Sequence, residues 1–228
     1  MKWLKADLHT HTAEDPHDTI SYSVEMLIDG MANLGYDVLA VTCHDRVVHS
    51  RRLAEFSRQR GILLVPGVEL LVEGKHVVVL NPDKDQCAAR TYSELRALGR
   101  RNAVILAPHP YYPLDHCLRN ALVKNIDVFD AIEYSSVYLR GIGFNGRARR
   151  VAQRFGLPLV GTSDMHFEPF TDTTFTWIQA EPCVNSVVEA VREGRVRLDT
   201  RSCTCTRAAQ MFWRTVRDMT QGLWTRQN

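Results

Sequence analysis

Short apolar runs of strand length recur along this chain, and a segment with helical periodicity follows most of them. Residues 38–42 and 104–107 are nearly continuous apolar runs, which are typical of strands covered on both faces in a parallel sheet. After the first strand, apolar residues at 24, 27, 28, 31 and 34 follow the helical repeat, and Gly35 ends the pattern. The alternation continues to about residue 193 without a linker. It predicts a single α/β domain with a parallel sheet.

The helical segments can be placed from their periodicity and their caps. Ser21 or Ser23 can cap the first helix, and Glu25 falls in its first turn. Further helices are predicted at about residues 50–60, 91–101, 114–124, 145–155 and 184–193.

Ionisable side chains stand beside nearly all of the predicted strands. They are His9, His11, Asp18, His44, Glu69, His76, His109, Asp164 and His166. In a closed β/α barrel, the carboxyl ends of the strands form the face on which active sites are built. An open doubly wound sheet usually concentrates its site at one switch point. Because these side chains come from so many strands, the pattern favours a closed barrel.

His9 and His11 follow the first strand and are two positions apart. In extended backbone, residues i and i+2 point to the same face, so both imidazoles can reach one ion. Imidazole and carboxylate groups are ligands of divalent transition metals. Any one of these residues alone is more often an ordinary hydrogen-bonded or capping side chain. The whole set at one barrel mouth would bury unpaired charge, a cost that metal ions remove.

Four short motifs then resemble the PHP (polymerase and histidinol phosphatase) domain family. They are Asp7-Leu8-His9-Thr10-His11, Thr42-Cys43-His44-Asp45, His109-Pro110 and Gly161-Thr162-Ser163-Asp164-Met165-His166. Residues 66–69 and the following His76 also match. The resemblance extends from about residue 5 to 195. It implies a distorted (β/α)7 TIM-like barrel with two to three divalent metal ions at the carboxyl ends of the strands.

The resemblance also implies which side chains hold each ion. The first ion would be held by His9, His11, Glu69 and Asp164. The second would be shared by Glu69 and held also by His76 and His109. The third would be held by Asp18, His44 and His166. Among these residues, Glu69, Asp164 and His44 are expected to take part in catalysis, and the ligand types permit zinc, manganese or iron.

Two departures from the family pattern affect these assignments. The second motif usually carries aspartate where this chain has Cys43, so a supporting carboxylate is either missing or supplied by Asp45. The loop after His11 is slightly longer than usual. Asp18 is the preferred ligand there because its spacing to the following helix fits best, with Asp15 and His17 as alternatives.

The expected reaction follows from the implied ions. Metal ions close together lower the pKa of water and clamp the oxygens of a phosphate ester. No serine or cysteine nucleophile is required, so Cys43 is not expected to be a catalyst. Candidates to bind the substrate phosphate are Arg46, Arg140 and Arg147, since a bidentate arginine suits phosphate.

The C-terminal tail differs from the rest of the chain. The formal net charge is only +2, which gives no general electrostatic case for nucleic-acid or membrane binding. Residues 201–228 hold five arginines and one aspartate, with an apolar stripe of helical spacing. We expect a PHP domain over residues 1–200 and a basic amphipathic helix over 201–228. That helix would pack on its own domain or on a second copy of the chain.

No signal peptide or membrane-spanning stretch is visible, so a cytoplasmic location is expected. The six cysteines are then expected to be reduced, and a metal or redox role for Cys203 and Cys205 is disfavoured. The favoured function is hydrolysis of a phosphate ester in a small metabolite, a nucleotide or an oligonucleotide end. The alternatives are metal-dependent hydrolysis of a non-phosphate (C–N) bond and a catalytically silent PHP binding module.

Overall fold

One continuous sheet dominates the structure. In the computed structural model, which describes residues 1–136, 138 and 143–202, the sheet contains nine strands. These are β1 (Lys2–Asp7), β2 (Val38–Val41), β3 (Leu63–Val72), β4 (Lys75–Leu80), β5 (Val104–Ala107), β6 (Ala131–Ser135), β7 (Leu159–Thr162), β8 (Thr174–Ala180) and β9 (Val196–Thr200). Their order in the sheet is β7-β6-β5-β4-β3-β2-β1-β8-β9.

Helices connect most of the strands. Over the same residues they are α1 (Val24–Asn33), α2 (Arg51–Arg58), α3 (Lys84–Ala88), α4 (Tyr92–Leu98), α5 (Asn120–Lys124), α6 (Asn145–Phe155) and α7 (Val184–Arg192), with a short 3-10 turn at Ile126–Val128. The predicted serine cap of α1 is Ser23, whose side chain accepts a hydrogen bond from the backbone N–H of Met26. None of the described helices has the length and hydrophobicity needed to cross a bilayer.

The sheet curves until its two edges nearly meet. The hydroxyl of Thr176 in β8 donates to the carbonyl oxygen of Gly161 in β7 at 2.9 Å. A Cβ atom added to Gly161 would lie 2.5 Å from Leu198 in β9 and 2.7 Å from the carbonyl oxygen of Phe175. Only glycine therefore allows β7 to approach β8 and β9 so closely. The predicted α/β class and barrel-like sheet are confirmed.

The strand directions depart from seven regular β/α units. β1–β2, β2–β3, β5–β6 and β6–β7 are parallel pairs. β4 and β8 run against their neighbours, so the other four described pairs are antiparallel. β4 is reversed because the two-residue turn Glu73-Gly74 connects it directly to β3, with φ of 48° and 74° as in a hairpin turn. The start of β4 therefore lies where the parallel strands end.

The barrel interior is filled by alternate residues of the strands. Leu4, Ala6 and Leu8, in β1 and just after it, are fully buried with side chains from β2 to β8. Valines of α7 pack on the same cluster. Apolar side chains therefore fill the barrel, and the site is confined to its mouth.

One predicted helix is largely wrong. A helix was predicted over residues 114–124, but only Asn120–Lys124 is helical, and residues 114–119 form turns. The turn is held by the carbonyl oxygen of His116, which accepts a hydrogen bond from the backbone N–H of His76 at 2.9 Å. The proposed tail lies outside the described residues, apart from Arg201 and Ser202.

Candidate metal centre

Backbone pairing beyond the ends of the strands positions the first histidines. Past β1, the N–H of His11 donates to the carbonyl oxygen of Met165, and the N–H of Asp164 donates to the carbonyl oxygen of His9, each at 3.0 Å. This pairing keeps residues 9–11 extended, so the side chains of His9 and His11 point to one side as predicted.

Two imidazoles and two carboxylates meet at the centre of the mouth. The Nε2 atoms of His9 and His11 are 3.0 Å apart. Oε2 of Glu69 lies 3.2 Å and 3.3 Å from them. Oδ1 of Asp164 lies 3.4 Å and 3.5 Å from the same two nitrogens. These four residues form the set that the sequence predicts for the first ion.

The other oxygen of Glu69 faces a second group. Oε1 of Glu69 is 2.8 Å from Nδ1 of His76 and 3.2 Å from Nε2 of His109. Nδ1 of His76 is buried and has no hydrogen-bond partner among the described residues, although it lies this close to Glu69. Glu69 thus presents one oxygen to each group, as a bridging ligand would.

The third predicted group is brought together less tightly. Oδ2 of Asp18 lies 3.0 Å from Nε2 of His166 and 3.5 Å from Nδ1 of His44. Nε2 of His44 turns to Glu69 instead, at 3.2 Å. His44 therefore lies between Asp18 and the two groups at Glu69.

Asp15 and Glu133 orient these histidines. Oδ2 of Asp15 accepts from Nδ1–H of His11 and from Nδ1–H of His44, both at 2.9 Å. Oε2 of Glu133 accepts from Nδ1–H of His9 at 2.8 Å. In each case the bond fixes the ring and leaves Nε2 free to face the centre. The structure therefore places Asp15 beside the predicted ligands, whereas His17 lies exposed on the outer side, 3.6 Å from Asp45.

Asp45 does not replace the aspartate missing at position 43. Its carboxylate lies between exposed His17 and Arg90, 3.3 Å from the latter. The Cys43 side chain is buried 3.4 Å from the hydroxyl of Thr12, and burial raises the pKa of its thiol. A buried neutral thiol is a poor nucleophile, which agrees with the prediction that Cys43 is not a catalyst.

The electrostatics of the site are those of a cation site. Burial lowers the pKa of His9, but the charges of Glu69, Asp164 and Glu133 outweigh burial and raise it to about 10. Burial raises the pKa of Glu69, but the neighbouring histidines, His9 first, hold it well below its ordinary value. The carboxylates thus stay ionised and attract positive charge.

The arrangement fits divalent metal ions. If His9 and His11 each donate from Nδ1 to a carboxylate, their Nε2 lone pairs face each other at 3.0 Å beside two more carboxylate groups. Such lone pairs repel unless a proton or a cation lies between them. Several overlapping groups of three or four histidine, aspartate or glutamate residues extend across the mouth. Within each group, one potential ligand atom from every residue lies within 4.8 Å of the others. Imidazole and carboxylate donors suit zinc, manganese or iron.

One histidine and one cysteine that were not predicted lie beside the second group. His116 stacks on His76 with ring centres 4.2 Å apart, and Sγ of Cys117 lies 3.3 Å from Nδ1 of His109. Sequence reasoning missed both His116 and Cys117 because it placed them in a helix. Pro113 and Asp115, which favour turns, were the available signal.

The predicted phosphate-binding arginines lie in different places. Arg46 is exposed and donates to the carbonyl oxygen of Glu14 at 2.8 Å. Arg147 lies over the ring of Tyr111, 4.5 Å from its centre, and donates to Asn120. It lines a cavity of about 480 Å³ together with Arg119, Phe144 and Arg150. Arg140 lies outside the described residues.

Comparisons with known proteins agree with the fold. A family model described as PHP-associated matches residues 143–196. No protein with a curated description matches the sequence. A Bacteroides vulgatus two-domain protein, described as containing a predicted PHP-like metal-dependent phosphoesterase, superposes with a TM-score of 0.67 at 20% identity, over 88% of this chain and 65% of that one.

Two further structures have similar folds. PsfC from Pseudomonas syringae superposes with a TM-score of 0.65 at 17% identity, over 97% of this chain and 100% of that one. Endonuclease Q, in complex with a 27-mer duplex with an abasic lesion at the active site, gives a TM-score of 0.58 at 12% identity. The match covers 85% of this chain and 56% of the endonuclease chain. The chain therefore spans less than two thirds of the Bacteroides protein and of endonuclease Q.

These matches establish the class of fold. Over 88% of its length, the protein shares the fold of the Bacteroides protein that contains a predicted PHP-like metal-dependent phosphoesterase. The resemblance to the PHP family predicted from the motifs is confirmed, in this fold and in the sequence of residues 143–196.

Proposed function

We propose that the protein is a metal-dependent phosphoesterase. The observation that carries this proposal is Glu69, which presents one oxygen to the facing Nε2 atoms of His9 and His11 and the other to His76 and His109. A carboxylate between two groups of imidazoles suits two ions that lie close together. Bound divalent ions would lower the pKa of a water molecule and clamp the oxygens of a phosphate ester.

The exposed fractions of the side chains indicate where a substrate would approach. His9, His11 and Glu69 are at most 1% exposed. Asp164, His166 and Asp18 are 21%, 31% and 38% exposed on the outer side. We assign the deep residues to metal binding, and Asp164 and the partly exposed His44 to contact with the reacting groups as well.

The substrate class we propose is a small phosphorylated molecule or a nucleic-acid end. The cavity beside Arg147 supports this class, because it combines arginine side chains, which suit phosphate, with the aromatic rings of Tyr111 and Phe144. Such rings can stack on a base. Tyr111, in the wall of this cavity, follows the predicted ligand His109 by two residues in the sequence. The fold shared with endonuclease Q, which is bound to duplex DNA, also supports a nucleic-acid substrate.

The proposal includes two or three divalent metal ions as cofactors. It also includes a cytoplasmic location, where the thiols of buried Cys43 and Cys117 would stay reduced.

The test combines metal analysis with turnover. Protein purified without added metal or chelator is assayed for metal content and for hydrolysis of p-nitrophenyl phosphate, bis(p-nitrophenyl) phosphate and an amide substrate. We expect two to three ions per chain and turnover of at least one phosphate ester.

His9→Ala is the loss-of-function variant, and His49→Ala, outside the centre, is its control. We expect turnover to disappear in the first and to persist in the second. The proposal fails if the protein holds less than one ion and no ester is hydrolysed after zinc, manganese or iron is supplied. Turnover of the amide alone would instead favour C–N bond hydrolysis.

A further inference from the structure

His116 lies within reach of a metal ion at the second group. One ligand atom of each of His76, His109 and His116 lies within 4.8 Å of the other two. The ring of His116 is parallel to that of His76 within 17°, with 4.2 Å between centres, and lies 5.6 Å from that of His109. No described residue forms a hydrogen bond with the ring nitrogens of His116, so either nitrogen can serve as a metal ligand.

The backbone fixes His116 in this position. Its carbonyl oxygen accepts from the N–H of His76, which ties the turn to the start of β4. The N–H of Cys117 donates to Leu114 at 3.1 Å, and the N–H of Arg119 donates to Pro110 at 2.7 Å. The turn is therefore joined at both ends to segments that carry predicted ligands.

Cys117, the next residue, contacts a predicted ligand directly. Its Sγ lies 3.3 Å from Nδ1 of His109, so the Nε2 atom of that ring faces Glu69 at 3.2 Å. His116 thus brings a further imidazole to the second group, and Cys117 orients the imidazole of His109, which already belongs to it.

We propose that His116 is a further ligand of the ion at Glu69, His76 and His109. This inference rests on the proposed function, because it requires that the site binds metal. His76, His109 and His116 would supply three imidazoles, and Glu69, which contacts the first two, would supply a carboxylate. Imidazole and carboxylate are ligands that suit zinc.

The test separates binding of metal from stacking on His76. His116→Phe keeps a flat ring that can stack on His76 and removes both nitrogen donors, and His116→Gln tests the same loss without an aromatic ring. His49→Phe is the control, since His49 lies away from the centre. Metal-free protein is titrated with Zn²⁺ in competition with a chelator, and the Co²⁺-loaded protein is examined by visible absorption, which reports the number of ligands.

We expect His116→Phe and His116→Gln to weaken one Zn²⁺ site by more than about 100-fold, beyond the roughly 10–100-fold seen for residues that only orient a ligand. The Co²⁺ spectrum should change in both variants and stay unchanged in His49→Phe. A loss of about 100-fold or less with an unchanged Co²⁺ spectrum would show that His116 only supports His76. If the unmodified protein binds no metal, the proposed function itself fails, which is a different result.

Discussion

Asp15→Asn is the substitution that most directly tests how the histidines are oriented. One oxygen of Asp15 accepts three hydrogen bonds, from Nδ1–H of His11 and of His44 at 2.9 Å and from the backbone N–H of His44 at 2.8 Å. The other accepts from the N–H groups of His17 and Asp18 at 2.8 Å and 3.2 Å. All five partners donate, and only a carboxylate can accept from both sides.

The side-chain amide of asparagine has one oxygen, so it can accept the hydrogen bonds on only one of these two sides. If its NH₂ group faces His17 and Asp18, it meets two backbone donors. If it faces His11 and His44, each ring must accept at Nδ1 and carry its proton on Nε2, the nitrogen that faces Glu69. Either orientation opposes metal binding. Burial raises the pKa of Asp15, but the hydrogen bonds from His11 and His44 outweigh it and hold the pKa well below its ordinary value, so the group removed is an anion.

The expected effect is at the upper end of the range for a residue that orients ligands, because one carboxylate serves two histidines. That range is about 10–100-fold in metal affinity or activity. We expect about 100-fold, equivalent to about 2.7 kcal/mol at 1.36 kcal/mol per tenfold. The measurement is Mn²⁺ titration of metal-free protein by calorimetry, with turnover of bis(p-nitrophenyl) phosphate.

Asp45→Asn provides the matched control, because among residues 1–136, 138 and 143–202 that carboxylate pairs with His17 and Arg90, at 3.6 Å and 3.3 Å, and with none of the predicted ligands. It should bind Mn²⁺ as the unmodified protein does. An Asp15→Asn variant whose affinity and turnover lie within about twofold of the unmodified protein would refute the orienting role.

Three further predictions concern the barrel, the cavity and pH. Gly161→Ala should destabilise the fold by about 1–3 kcal/mol in urea unfolding, because its Cβ meets β9 and the β8 backbone. Gly146→Ala, in an open helical position, should be neutral or stabilising, and equal stability of the two variants would contradict this account. Arg147→Ala should raise the KM for a 5′-phosphorylated dinucleotide about tenfold, as expected for loss of a hydrogen bond to a charged group. The KM of Arg147→Ala for p-nitrophenyl phosphate should stay unchanged, and Arg154→Ala is the control. An equal increase of KM for both substrates would exclude the cavity from substrate binding. Since the pKa of His9 is raised to about 10, the stability it contributes to the metal-free protein is complete below about pH 6.5 and declines toward pH 10, so the Tm should fall over that range. Binding of Zn²⁺ requires a deprotonated His9 and should therefore strengthen as the pH rises from about 6.5 towards 10. A metal-free Tm that rises from pH 7 to 9 would contradict the assignment.

Much of the fold could be predicted because local pattern and tertiary structure agree. Helix α6 was predicted at about residues 145–155 and lies at Asn145–Phe155. The apolar runs of β2 and β5 are buried on both faces, as continuous apolar strands should be. The direction of β4 was missed because the turn is Glu73-Gly74, whereas the recognised hairpin signals are pairs such as Asn-Gly and Asp-Gly.

The site was predictable where ligands follow strands and less so elsewhere. His9 and His11 follow β1, and Glu69 lies within β3 beside His44, which follows β2; the sequence of apolar runs can indicate this arrangement. The role of Asp15 depends on how the loop after His11 folds back over His44, and spacing alone cannot show this. His116 escaped notice because its conformation is set by a tertiary hydrogen bond to His76, which overrides the local helical pattern.

The hairpin turn Glu73-Gly74 gives the centre an unusual dependence on chain length. His76 pairs with Leu71 across the hairpin, so its position depends on the number of residues between them. Removing one residue from the turn would shift the register by one and carry the imidazole to the opposite face of the sheet. A two-residue change would keep the face but move the ring by about 7 Å along the strand. The length of a turn that gives no side chain to the centre thus decides whether His76 reaches Glu69.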